Sequence, residues 1–269
     1  MIDLKSIKKG KELTPPKILI YGVEGIGKSS GAATWPAAIV TQTEDRLSHV
    51  DVDKFPLVKT YDNAIATIKT LLQEKHDYKT HVTDTADALE KLVHQKVCAD
   101  AGEDSIVSNK KGSDLGYGRG YVLAENLFRR YLDGLEALRN QRNMTIILVA
   151  HSQIKRFDDP MRESYDRYQL NVHERINAAL KQWCDCVLFA QYEVVLKSED
   201  RGFGEKDKKA VSGGRRLVYT EERPSFDAKN SYNLPFEIDM PIGGLYNNFI
   251  EHYKAWAGVG KKETNKKGE

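Results

Sequence analysis

No apolar run in the 269 residues approaches the roughly 18 needed for a membrane-spanning helix, so a membrane partner is not expected. Cysteine is scarce. Only Cys98, Cys184 and Cys186 occur, an odd set that argues against a disulfide framework and fits a reducing cytoplasm. Cys184 and Cys186 form a lone C-x-C with no second half, which argues against a zinc site. A large charge of either sign is also missing, because 41 Lys and Arg face 39 Asp and Glu. Affinity for nucleic acid would therefore have to come from local patches. The amino end, MIDLKSIKKGKELTPPK, has lysines but lacks the apolar core of a secretory signal. What is present, 40% hydrophobic and 30% charged residues, is the composition of a globular chain able to bury a core without staples.

Residues 1–16 read as a flexible basic lead-in closed by Pro15-Pro16, and residues 258–269 as a flexible polar tail. Between them, residues 17–257 alternate strand and helix signals. KILIY at 17–21, AAIVT at 37–41 and a weaker segment at 80–83 read as strands. MTIILVA at 144–150 is the most apolar of these, suited to the centre of a parallel sheet. Helices are expected from Lys28 to Trp35, where Pro36 stops the chain, and over 63–73, 86–98 and about 121–141. Further strands are expected at 187–195 and 216–219, making the part beyond about residue 187 rich in β-structure. This order predicts an α/β fold with a central, mostly parallel β-sheet flanked by helices.

One motif carries direct chemistry. Gly22-Val23-Glu24-Gly25-Ile26-Gly27-Lys28-Ser29, continued by Ser30, is a full G-x-x-x-x-G-K-[ST] string between a strand and a helix. The glycines let backbone N–H groups turn around phosphate oxygens, where a Cβ would obstruct them. The following helix adds the partial positive charge of its first turn. Lys28 is expected to reach the β- and γ-phosphates of ATP, and Ser29 to hold Mg²⁺. Asp84, at the end of the third strand, fits the Walker B aspartate, which binds that Mg²⁺ through water; a helix N-cap is its plainer reading. Glu44, in TQTED after the second strand, is placed to polarise a water in line with the γ-phosphate, with Asp45 as a rival. The fourth strand runs into His151-Ser152-Gln153, where Gln153, then His151, is a candidate to sense the γ-phosphate.

GVEGIGKSS, TQTED, the strand ending at Asp84 and ILVAHSQ, in that order, resemble the RecA-like P-loop ATPases. That resemblance implies a RecA-like core with Glu44 as its catalytic glutamate. LVAHSQIKRFDDP, DRYQLNVHERINAAL and YTEERPSFDAKNSYNLP look more narrowly like phage-encoded RecA-like nucleotide-binding proteins, the Sak-four type of single-strand-annealing recombinase. The likeness spans roughly residues 16–255. It implies a homo-oligomer, ring or filament, with ATP at the subunit interface and a lysine or arginine lent by the neighbour from a K-x-R motif. The matching position here reads Lys229-Asn230-Ser231, so the lysine is kept and serine stands where arginine is usual. Arg223 is a possible substitute.

Single-stranded DNA is the expected partner, with a single-strand DNA-binding protein as a possible second. Residues 108–121 set Lys110, Lys111 and Arg119 among Tyr117 and Tyr121, a mixture suited to stacked bases and their phosphates. Lys155 and Arg156 open a charge-balanced segment straight after the sensor strand, and residues 197–216 form a third basic, glycine-rich stretch. Two readings compete: a DNA-dependent recombination ATPase, and an ATP-held switch or assembly module that turns over slowly. A nucleotide kinase would need an arginine-rich lid, which is not evident.

Overall fold

The computed structural model describes residues 3–108, 110, 112–161, 163–200 and 206–259. In chain order the elements are β1 (Lys17–Gly22), α1 (Lys28–Ala33), β2 (Ala38–Gln42), β3 (Asp53–Lys54), α2 (Tyr61–Gln73), β4 (Thr80–Asp84) and α3 (Ala86–Ala101). They continue with α4 (Arg119–Arg142), β5 (Thr145–Phe157), β6 (Tyr165–Leu170), α5 (Glu174–Trp183), β7 (Cys186–Asp200), β8 (Lys206–Tyr219), β9 (Lys229–Asn230), β10 (Glu237–Asp239) and α6 (Leu245–Ala257). Among them no helix is long and apolar enough to cross a membrane.

The sheet runs β10-β8-β7-β1-β5-β4-β2-β3. Its centre is parallel, with β1 between β5 and β7, and β4 between β5 and β2. Antiparallel pairs lie outside this centre: β8 on β7, β10 on β8, β6 on β5 and β9 on β7. Because side chains alternate along a strand, each central strand feeds two apolar layers. Leu19, Tyr21, Leu148 and Phe189 face α2–α5 on one side. Ile18, Ile20, Ile147 and Leu188 face α1 and α6 on the other. Burial on both faces explains why these strands read as continuous apolar runs rather than alternating ones.

Several boundaries differ from expectation for local reasons. The helix after the glycine motif ends at Ala33, because Thr34 turns its hydroxyl onto the Gly31 carbonyl. Trp35 then packs into the layer that faces α1 and α6, against Tyr246 and Phe249. The strand expected at 144–150 continues as β5 to Phe157, since β6 folds back and pairs with its second half. At the amino end, Lys11 donates to the Trp256 carbonyl and Arg139 to Thr14 and Pro15, so residues 11–15 lie against α4 and α6.

Gly22 ends β1 between two strands. A Cβ there would stand 2.0 Å from the Ala190 carbonyl oxygen, and its φ is +152°. Gly22→Ala must therefore push β1 from β7. A cost on the order of 3 kcal/mol is expected, a fall in Tm of roughly 6–12 °C for a chain of this size. An unchanged melting curve would refute the close approach.

Candidate functional site

Strand register gathers the site. Gly22 lies level with His151 on one side and Ala190 on the other, Asp84 with Val149, and Gln42 with Asp84. The carboxyl ends of β1, β4 and β2, with β5 at Val149–His151, therefore open into one crevice, the place where ligands bind in open α/β sheets. A cleft of about 380 Å³ lies there, lined by Gly25, Gly27, Lys28, Ser29, Asp84 and His151 among others. A hollow of about 430 Å³ against α3 and α4, lined by Arg119 and Leu123 among others, lacks the turned glycine backbone.

Gly22, Gly25 and Gly27 all hold positive φ, and Ile26 is fully buried, pinning the turn to the apolar layer that faces α1 and α6. Lys28 is 6% exposed, and its ammonium donates to the carbonyls of Gly22 (3.0 Å) and Val23 (2.8 Å). Burial pulls its pKa down, opposed by the carboxylates of Asp84, Asp87, Glu24 and Glu44. Asp84 is buried, which pushes its pKa up, while a hydrogen bond from Ser29 pulls the other way. The N-cap of α3 is Thr85, which accepts from the Ala88 N–H. That leaves the Asp84 carboxylate to Ser29, the arrangement a Mg²⁺ position needs: two hard oxygen donors beside a phosphate cradle.

Glu44 is held to the same spot by the backbone around it. The Thr43 N–H donates to the Asp84 carbonyl (2.8 Å), and the Thr43 hydroxyl donates to the Thr85 carbonyl (2.9 Å). Acidic and imidazole atoms of Glu44, Asp87 and His151 all come within 4.8 Å of one another. Asp87 grips His151 twice, accepting from its backbone N–H and from ring Nδ1, each at 3.0 Å. The Asp87 hydrogen bond raises the His151 pKa; burial works against ionising Asp87, yet the bonds from His151 keep its pKa low. Sequence reading missed Asp87, although its signal was there: an acid three residues beyond Asp84, in the first turn of α3.

The remaining expected residues divide. Asp45 is exposed. The Gln153 amide is turned across the hairpin and donates to the Leu170 carbonyl (2.8 Å), so His151 is the strand-end side chain lining the cleft. The Lys229 ammonium donates to the carbonyls of Lys181, Gln182 and Cys184, closing the end of α5. Its strand β9 pairs with the start of β7, at the sheet end opposite the chain's own cleft. Arg223 lies over the Phe236 ring. Lys110 pairs with Glu103 (2.8 Å), while Lys111 lies outside the described residues. Arg119 is exposed at the start of α4, and Lys155 and Arg156 are exposed on β5. Part of the third basic stretch, residues 201–205, also lies outside the described residues.

Behind Asp87 on α3, Glu90 accepts from the His173 N–H (2.8 Å) and lies 3.7 Å from His94. Burial pushes its pKa up to about 7. A folded-state pKa above the unfolded 4.5 means that stability is full below about pH 4.5 and falls as pH rises to 7. Glu90→Gln should remove that slope and stabilise the protein at pH 8 by about 2–3 kcal/mol relative to the parent. Burial lowers the pKa values of His94 and His173, so both are neutral at pH 8, where the two proteins are compared. Parallel Tm-against-pH curves would refute the assignment.

The family described as an AAA domain (AAA_24) matches residues 14–232. No curated protein matches the chain. Among solved structures, one titled "Crystal structure of the RadB recombinase" is similar, with 13% identity and a TM-score of 0.46 over 86% of this chain and 90% of that one.

Proposed function

The chain belongs to the AAA-domain family, and from that premise we propose that it binds ATP with Mg²⁺, hydrolyses it, and couples the cycle to single-stranded DNA as a homo-oligomer. One observation carries the reading: Lys28 and the Ser29–Asp84 pair line one cleft, with Glu44 beside it, near enough for its charge to act on both Lys28 and Asp84. Magnesium held by Ser29 and Asp84 would supply charge neutralisation at the phosphates. Lys28 leaves the carbonyls of Gly22 and Val23 for β- and γ-phosphate oxygens. Glu44 takes the proton of the attacking water. His151, fixed by Asp87, stands at the γ-phosphate end, with Gln153 behind it on β5 linked to the hairpin.

Support for DNA comes from the far side of α3. Tyr121, from the basic-aromatic segment, stacks on His173 with ring centroids 3.9 Å apart. Lys155 is near enough for its charge to act on both His173 and Glu90. Two of the expected DNA-contacting segments thus converge, with Tyr117 and Ile154 exposed beside their basic residues. Bases stacking on such rings, with phosphates on Arg119, Lys155 and Arg156, would bind a single strand with little sequence preference. β5 joins this surface directly to His151. The finer reading is recombination by strand annealing of the phage type, in a ring or filament where Lys229 faces a neighbour's nucleotide, and with a single-strand DNA-binding protein as a further partner.

A slow switch or assembly module is the second reading. It is favoured by Ser231 at the usual arginine position and by the engagement of Lys229 with three carbonyls. Phosphate release with and without single-stranded DNA, beside a salt titration of DNA binding, separates the two. Stimulated turnover and salt-sensitive binding support the recombination ATPase. Absence of DNA binding at low salt in both nucleotide states defeats it, leaving the module.

A further inference from the structure

Tyr192 and Arg216 stand opposite each other on β7 and β8, just before a register shift between Tyr192 and Val194 that bends the pair. Both reach the glycine turn. The Tyr192 hydroxyl lies 3.5 Å from the Gly25 carbonyl oxygen. The Arg216 guanidinium lies 5.7 Å from the Tyr192 ring centroid and so close to Gly27 that a Cβ there would stand 3.1 Å from Nη1. Arg216 is half-buried and lines the same cleft as Lys28, Ser29 and Asp84. Its neighbour Arg215 is spent on Glu193 (3.1 Å) and Asp239 (2.8 Å). Among the described residues, Arg216 has no carboxylate at ion-pair distance.

A half-buried guanidinium without a counter-ion gives up hydration and recovers little for it. Its planar fork matches phosphate oxygens, and an anion in the cleft would supply the missing partner. We propose that Arg216 is a phosphate-binding residue supplied in cis, contacting the α- and β-phosphates of a nucleoside di- or triphosphate. The position over Gly27 selects those phosphates, because the glycine turn cradles the α/β pair while Lys28 serves the β/γ pair. Beside Lys28 and Arg46, which lies 3.7 Å from the Glu44 carboxylate, the cleft thus has a further cation from its own chain, independent of any neighbour. This inference rests on the proposed nucleotide site and adds a specific pattern to it: a contact shared by ATP and ADP supports binding rather than transfer.

The test is calorimetric titration of the full chain with Mg-ADP and Mg-ATP, beside steady-state phosphate release. Arg216→Ala is expected to weaken both nucleotides alike, by about 10–100-fold, with kcat at saturation within about threefold. Arg216→Lys should fall between, keeping charge but losing the fork. Arg215→Ala should bind ADP like the parent. The Met240 N–H donates to the backbone carbonyl of Arg216, a contact that no side-chain change removes; an unaltered Tm confirms folding, and the lysine variant carries the test if alanine melts early. Equal ADP affinity in parent and Arg216→Ala would overturn the proposal, as would a loss confined to kcat. Failure of the parent itself to bind either nucleotide would instead defeat the nucleotide reading beneath it.

Discussion

Glu44→Gln is expected to lower ATP turnover by about 10²–10⁴-fold, the usual contribution of a positioned general base, while ATP affinity stays within about threefold. Glutamine keeps the size of the side chain and can still accept from the Thr85 hydroxyl, which lies 3.5 Å from Oε1. What it loses is the capacity to take a proton. One negative charge near Lys28 is also removed, and that change acts on binding far less than on proton transfer. Asp45→Asn is the control: Asp45 is exposed and outside the Glu44–Asp87–His151 group, so its variant should turn over like the parent. Steady-state phosphate release and nucleotide titration on both variants check the claim. Unchanged turnover in Glu44→Gln would remove Glu44 from the chemistry and favour the slow assembly module. Loss of DNA annealing together with hydrolysis would favour the recombination ATPase.

Lys28→Ala should abolish nucleotide binding at concentrations that saturate the parent, with turnover down by about 10²–10³-fold or more. Lys28 is 6% exposed, and the burial that pulls its pKa down offsets part of what its bonds to the Gly22 and Val23 carbonyls contribute to the empty fold. Without nucleotide, the Tm of the variant should therefore stay close to that of the parent. The contrast appears on adding ligand. At 100 times Kd, ATP stabilises a binding protein by about 2.7 kcal/mol, a rise in Tm of roughly 5–10 °C at this chain length. Lys28→Ala should show none of that rise. A preserved ATP-induced shift would mean that the ammonium serves the carbonyls of Gly22 and Val23 alone.

The parts of this protein that depend on local pattern were readable from the sequence. The string from Gly22 to Ser29 dictates its own backbone, since three positions need positive φ and only glycine takes it without strain. The apolar strands declare themselves because both of their faces are buried. Pairing across the sheet is different. That His151 stands level with Gly22, and that β5 lies between β1 and β4, follow from register that no short window encodes. Asp87 escaped notice because an acid in a first helical turn is ordinary; only its double grip on His151 distinguishes it. Arg216 was hidden in a basic stretch that reads as a solvated hairpin, and its meaning comes from the Tyr192 pairing that carries it to Gly27. Helix α6 had a legible stripe at Leu245, Phe249 and Tyr253, yet so late in a β-rich region its spacing was overlooked. Gln153 illustrates the reverse: a suggestive position on a strand, with its amide claimed by the Leu170 carbonyl once β6 is in place.

The central claim is that a nucleoside triphosphate with magnesium occupies the cleft beside Lys28 and Asp84. Calorimetric titration of the full chain with a slowly hydrolysed ATP analogue and Mg²⁺ tests it most directly. One nucleotide per chain, displaced by ADP and lost in Lys28→Ala, is the result expected. Absence of binding heat or displacement at millimolar nucleotide and magnesium would contradict it.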